Sequence, residues 1–248
     1  MENKKLEVIK LNKNIGRRKI INDFTFDVYK GDICGFVGPN GSGKTTTIRM
    51  ITGLVKPTDG SILINGEDIT KDRKAALIKL GAMVESPIFF SYMSGRKNLQ
   101  NLARLNPDMD RKEQLIRVEE ALKIVGLQDR GEDKVKTYSL GMKQRLGIAQ
   151  TLLNDPEIII LDEPANGLDP LGIRELRELI LTLNKKRGIT FFISSHLLDE
   201  LQQVCNRLII IKEGNILWQG LTEKLLKDKG VNNSLEDAFV KLMYGGEK

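Results

Sequence analysis

Apolar and polar residues alternate over 6–11 and again over 24–28, the period of half-buried antiparallel strands. Residues 33–37, Ile-Cys-Gly-Phe-Val, are instead continuously apolar, as in a strand covered on both faces. A helical pattern through Ile48, Met50 and Ile51 follows. Lys56-Pro57-Thr58-Asp59-Gly60 then makes a turn before a further strand at 61–64. Residues 79–85 form another short apolar run ending on a carboxylate, and Ser86-Pro87 breaks it. From about Ser94 to Asn154 the period is helical. Leu99, Leu102 and Leu105 mark one segment, stopped near Asn106-Pro107; Leu115, Val118, Ala121, Leu122 and Val125 mark a second, ended by Gly126. A third runs over 140–153 with Ser139 as its N-cap. The strand–helix rhythm then returns, with strands at 158–161, 189–193, 207–211 and 216–219 and helices at 172–186 and 197–204. Short helices around 221–226 and 235–242 close the chain.

A block of helices set into a strand–helix alternation predicts an α/β fold with a helical subdomain. The expected organisation is one domain over 1–248. Residues 1–87 and 155–220 form an α/β core with a mixed sheet and an antiparallel β subdomain, 88–154 the inserted helices, and 221–248 the closing helices. Its 248 residues suffice to bury a substantial core.

Charge and cysteine content narrow the setting. The balance of 39 Lys and Arg against 33 Asp and Glu gives +6, spread along the chain, which reads as a solvated basic surface and not a nucleic-acid stripe. Such a surface also suits the anionic cytoplasmic face of a membrane. Cys34 and Cys205 lack metal-ligand spacing, are too few for a disulfide framework, and read as buried inert thiols. No apolar h-region follows Met-Glu-Asn-Lys-Lys, and no stretch approaches the ~20 apolar residues of a membrane span. The expectation is a soluble cytosolic domain.

The chain's chemistry centres on Gly38-Pro39-Asn40-Gly41-Ser42-Gly43-Lys44-Thr45, set between the apolar strand and the helical pattern. Strand, glycine loop and helix form the context in which GxxxxGKT means a phosphate loop, and hence a P-loop NTPase core. Glycines let successive N–H groups curl around an anion, and the helix N-terminus that continues through Thr46 adds its dipole. Lys44 would reach the β- and γ-phosphates and the Thr45 hydroxyl would ligate Mg²⁺.

Two other strand ends carry polar groups. Ile158-Ile159-Ile160-Leu161 ends in Asp162-Glu163, and carboxylates at the C-terminal end of a parallel strand line the ligand crevice. Asp162 is expected to hold Mg²⁺. Glu163, turned to the other face by the two-residue strand period, is expected to act as general base toward water. His196, the one histidine, ends another strand after Ile193-Ser194-Ser195 and is expected at the γ-phosphate.

With these residues in order, the chain resembles the ATP-binding subunit of ABC transporters over nearly its whole length. Gly38 to Thr45 resembles a Walker A motif, and 158–163 a Walker B with its following glutamate. Asn166-Gly167-Leu168-Asp169 is similar to a D-loop, His196 to the switch histidine, and Tyr138-Ser139-Leu140-Gly141-Met142-Lys143-Gln144-Arg145 holds the signature position. The resemblance implies a homodimer, or a pair of related ATPase subunits, with ATP and Mg²⁺ at the interface. Each ATP would meet the partner's Ser139, Leu140, Gly141 and Met142. It further implies an integral membrane permease as partner, no nucleic acid, and a peripheral position on the inner face of the membrane. The chain departs from the family pattern in three places. Leu140 and Met142 replace Gly and Gln of Leu-Ser-Gly-Gly-Gln. Ile15 stands where an aromatic would contact adenine and is expected to pack the base, and Glu85 stands where a glutamine would link Mg²⁺ to the membrane subunit and is expected to ligate Mg²⁺ with Thr45 and Asp162. Glu85 followed by Ser-Pro-Ile-Phe-Phe is similar to transporters that protect bacteria from bacitracin and lantibiotics, which implies export or immunity, and places the docking surface near 85–98. The competing class is an ABC ATPase of DNA maintenance or ribosomes. A long coiled-coil insertion or a second phosphate loop would mark it, and the sequence has neither. A GTPase would need the guanine motif that Asn184-Lys185-Lys186-Arg187 lacks.

Overall fold

A computed structural model describes residues 3–228 and 234–244; positions 229–233 and 245–248 of the expected closing segment lie outside the described residues. The fold is α/β, with a mixed six-stranded sheet and an antiparallel four-stranded one. Four parallel neighbours form the centre of the first: β3 (Ile33–Val37), β7 (Ile158–Asp162), β8 (Thr190–Ser195) and β9 (Arg207–Lys212). β6 (Leu80–Met83) extends it in parallel beyond β7, and β10 (Asn215–Leu221) closes the other edge antiparallel to β9.

Every residue of β3, β7 and β8 is buried. Successive side chains go to opposite faces, so the sheet divides two apolar clusters. Ile33, Val37, Ile159, Leu161, Phe191, Ile193, Leu208 and Ile210 enter one cluster; Cys34, Phe36, Ile158, Ile160, Phe192, Ile209 and Ile211 enter the other. The first cluster is covered by α6 (Pro170–Arg187), α7 (Leu198–Val204), the closing helices α8 (Thr222–Asp228) and α9 (Leu235–Tyr244), and the helical block α3 (Gly95–Ala103), α4 (Arg111–Ile124) and α5 (Leu140–Leu152). The second is covered by α1 (Lys44–Ile51), α2 (Arg73–Leu77) and the antiparallel sheet, whose order is β2 (Arg18–Tyr29), β1 (Lys4–Ile15), β4 (Asp59–Ile64), β5 (Glu67–Asp68). Cys34 and Cys205 lie in opposite clusters, both buried, and burial pushes both thiols up, which keeps them protonated.

Aromatic packing joins the sheets. Phe192 of β8 stacks on Phe26 of β2 with ring centroids 5.8 Å apart and touches Phe36 of β3 at 5.1 Å. Phe24 meets Phe36 edge-on at 6.4 Å.

The structure corrects the sequence reading in particulars. The alternation over 6–11 breaks where Lys10 adopts a left-handed φ of 46° and the register slips, so Leu6, Val8 and Leu11 point inward. Two elements went unforeseen. β5 has two residues, and α2 has five, capped by Asp72 accepting from the Ala75 N–H; neither is long enough to show a period. Replacing Phe192 by Ala is expected to cost about 3–5 kcal/mol, the usual range for emptying a buried aromatic site. Urea unfolding measures this, and a cost under about 1 kcal/mol would show that the sheet joint does not rest on this cluster.

Candidate active site

Beyond Val37 the chain can leave the sheet only through a tight loop. Gly38 is crowded: a Cβ there would lie 2.5 Å from the Ile211 carbonyl oxygen and 2.7 Å from Ser42 Oγ. Gly41 and Gly43 take left-handed φ values of 79° and 108°. Gly43 is also the N-cap of α1, and having no side chain it leaves the helix's first N–H groups without a side-chain acceptor. Ser42 Oγ is buried with no partner. Free N–H groups, an orphaned hydroxyl and a helix dipole together fit a phosphate oxyanion. Lys44 is 6 % exposed, and its ammonium donates to the Gly38 carbonyl at 2.7 Å and, more weakly, to that of Pro39 at 3.4 Å.

The carboxylates arrive from the neighbouring strands. Asp162, 3 % exposed, ends β7 directly beside Ser194 of β8. It accepts hydrogen bonds from the hydroxyls of Ser194, at 2.5 Å, and Thr45. Burial raises the Asp162 carboxyl above its usual range, opposed by those two hydrogen bonds and reinforced by the charges of Glu163 and Glu85. A raised folded pKa makes its contribution to the stability of the free protein complete in acid and lost as pH rises through that value. A cation bound there would offset the loss. A carboxylate and a hydroxyl converging beside a phosphate site fit Mg²⁺, a hard ion that takes few protein oxygens and completes its shell with phosphate and water.

Glu163 is not turned by strand alternation, as the sequence reading expects. It lies beyond β7 with a left-handed φ of 48°, its N–H donating to both the carbonyl (3.1 Å) and the hydroxyl (3.0 Å) of Ser194. That backbone turn puts one carboxylate oxygen 3.6 Å from Lys44 Nζ and the other 2.7 Å from His196 Nδ1. An ionised carboxylate only accepts, so Nδ1 carries the proton. Nε2 can then donate to a phosphate only from the imidazolium, unless the ring turns away from Glu163.

The loop, Glu163 and His196 face one cavity of about 450 Å³. Asn166, Arg18 and Ile20 also line it, and none of these three stood out in the sequence as a wall. Ser194 was equally overlooked; the sole sequence signal was a hydroxyl residue ending an apolar strand. Other expected residues lie outside this wall. Ile15 is 59 % exposed at the end of β1, directly across from Arg18. Glu85 has a left-handed φ of 64° and pairs with Arg49 of α1. Ser139 caps α5 by accepting from the Met142 N–H at 3.2 Å, with Leu140, Gly141 and Met142 in the first turn. That turn packs beside the 166–169 loop, where a Cβ on Gly167 would come within 3.0 Å of Leu140 Cδ2.

The sequence pattern described as ABC transporter matches residues 21–166. The bacitracin transport ATP-binding protein BcrA of Bacillus licheniformis is 49% identical over 207 residues, covering 84% of this chain and 66% of BcrA. The lantibiotic transport ATP-binding protein SrtF of Streptococcus pyogenes is 38% identical over 239 residues, covering 94% of this chain and 95% of SrtF. A solved ATP-binding subunit of an ABC transporter superposes with a TM-score of 0.84 at 29% identity, over 96% of this chain and 99% of that one. The chain thus spans about two thirds of the Bacillus relative and nearly all of the streptococcal one.

Replacing Ser194 by Ala removes the donor to Asp162 and one acceptor for the Glu163 N–H, so both carboxylates lose their fixed position. Such outer-shell partners are worth about 10–100-fold in activity, and a kcat loss of that size with nucleotide Kd little changed is the expected result. Steady-state hydrolysis and nucleotide titration check it; unchanged kcat would reduce Ser194 to a packing residue.

Proposed function

The chain belongs to the ABC transporter ATP-binding family and is an ATPase domain of that family, and on that premise we propose that it powers a bacterial transporter exporting, or giving immunity to, a bacitracin- or lantibiotic-like antimicrobial peptide through a separate membrane permease. The observation that carries the hydrolytic part is the placement of Glu163 between Lys44 and His196 at the mouth of the phosphate loop. The transported class rests on the likeness to BcrA and SrtF.

The phosphate loop holds the triphosphate with its N–H groups, and Lys44 exchanges its carbonyl partners for β- and γ-oxygens. Mg²⁺ held by Thr45 and Asp162 would neutralise phosphate charge as it develops. Glu163 takes a proton from the water whose oxygen attacks the γ-phosphorus; the bond to the ADP oxygen breaks, and phosphate leaves. Phosphoryl transfer of this kind is chiefly positioning and electrostatics. His196, released from Glu163, contacts the γ-phosphate. Ser139 and its turn lie outside their own cavity and fit the nucleotide of a paired subunit.

Glu163→Gln keeps the shape and removes the base, so turnover is expected to fall by 10²–10⁴-fold while ATP binding persists. With ATP, that variant should accumulate as a dimer on size exclusion. Near-normal hydrolysis would remove Glu163 from this role.

The membrane-facing part has its own support. Among the described residues no helix is long and apolar enough to cross a membrane. Ile88, Phe90 and Tyr92 are 94 %, 56 % and 64 % exposed, an apolar group within the expected 85–98 segment, next to the Glu85–Arg49 pair. Tagged protein should retain a multi-span subunit from detergent-solubilised host membranes, and Ile88→Asp with Tyr92→Asp should abolish that capture while basal ATPase stays within about twofold, as expected for surface changes. Capture of ribosomal proteins or DNA instead would favour a non-transport ATPase.

A further inference from the structure

One wall of the nucleotide cavity takes no part in the phosphate chemistry. Arg18 and Ile20 line it from β2, two residues apart and therefore on one strand face. A two-residue turn, Gly16-Arg17, joins β1 to β2, with Gly16 at a left-handed φ of 57°. The turn pairs Ile15 with Arg18, and directly opposed residues share a face, so the exposed Ile15 stands beside Arg18 on that face. Among the described residues Arg18 makes no ion pair and no side-chain hydrogen bond. Its charge and its plane are both uncommitted.

The rest of the cavity is already claimed. The loop and α1 take the phosphates, and Lys44, Glu163 and His196 surround the terminal one. A nucleotide anchored there must send its nucleoside along the wall that remains. No Phe, Tyr or Trp lines the cavity, and its one ring, His196, is held by Glu163 at the phosphate end, so the usual stacking platform for a base is missing from the remaining wall. A guanidinium is planar, weakly hydrated and stacks on π-faces, which an ammonium cannot do.

We propose that Arg18 is the residue that positions the nucleotide base, its guanidinium lying flat on the purine face while Ile20 and Ile15 pack the ring edges. The proposal rests on the ATP-binding reading. It carries a consequence for selectivity. A stacked guanidinium reads no hydrogen-bonding edge, so ATP and GTP are held about equally through this contact.

The test separates plane from charge. Arg18→Lys keeps the charge and loses the plane, Arg18→Tyr does the reverse, and Arg18→Ala loses both. Calorimetric titration of each variant with ATP, GTP and inorganic tripolyphosphate is the measurement, and melting temperatures confirm that the exposed site leaves the fold intact. Ala and Lys are expected to weaken ATP and GTP by about tenfold, the size of a partly desolvated cation–π contact, and to leave tripolyphosphate unchanged. Tyr is expected to stay near the parent protein. Unchanged ATP affinity in Arg18→Ala overturns the proposal. Retention by Lys with loss by Tyr, or a parallel loss for tripolyphosphate, overturns it in favour of a phosphate contact. A parent protein that fails to bind ATP would instead overturn the ATP-binding reading itself.

Discussion

The central sheet is buried on both faces, and this constraint decides where chemistry can occur. Along β3, β7 and β8 both faces meet an apolar cluster, so a polar side chain in mid-strand would lose its water without gaining a partner. Polar groups are tolerated where the strands run out. Val37 gives way to the phosphate loop, Leu161 to Asp162, and Ile193 to Ser194, all at the same end because the strands are parallel. The site is a by-product of the sheet's own termination. Its geometry inherits the sheet's register: Asp162 and Ser194 are neighbours because Ile160 and Phe192 are.

Around the phosphate position, each charged group already has a partner before nucleotide arrives. Lys44 is held by the Gly38 carbonyl and approached by Glu163, and Glu163 is held by His196. Thr45 and Ser194 both donate to Asp162. Buried ions require this, since an unpaired one costs several kcal/mol. Nucleotide binding is then an exchange of partners, not a filling of empty valences. On the mechanism proposed above, phosphate oxygens would replace carbonyls at Lys44, and a cation would replace the hydroxyl hydrogens at Asp162. The same exchange would free Glu163, which cannot serve as the proposed base while His196 donates to it. Among the buried side-chain atoms of the described phosphate loop, Ser42 Oγ waits without a partner.

How much of this the sequence revealed follows from the range of each interaction. Strands, long helices and the Ser139 cap are local patterns of period and spacing, and they appear where the residues foretell them. The phosphate loop is local too. What stayed hidden depends on register or on backbone handedness. Ser194 matters because β8 lies beside β7, which no linear pattern states. Glu163 is aimed by a left-handed turn in a non-glycine residue, whereas the strand period alone would point it elsewhere. Arg18 is one of three consecutive basic residues in the sequence, and only the hairpin turn picks it out as a wall. The Glu85–Arg49 pair joins positions 36 residues apart, and the partner of that carboxylate could not be read from its own neighbourhood.

The same reasoning explains why the proposed pairing of subunits is a geometric need. The first turn of α5 does not line the cavity of its own chain, and Leu140 packs against Gly167 of the loop that leads out of Glu163. Anything that presses on the Ser139 turn therefore presses on the backbone between Glu163 and Asp169. That backbone is stiff, because the Asp169 carboxylate caps α6 at the Gly172 N–H at 2.8 Å and Glu163 is pinned to Ser194. A partner's nucleotide bound at Ser139 would thus be felt at Glu163, the proposed general base, through two packed residues. On that reading, hydrolysis in one half and occupancy of the other would be coupled by contact, with no long pathway between them.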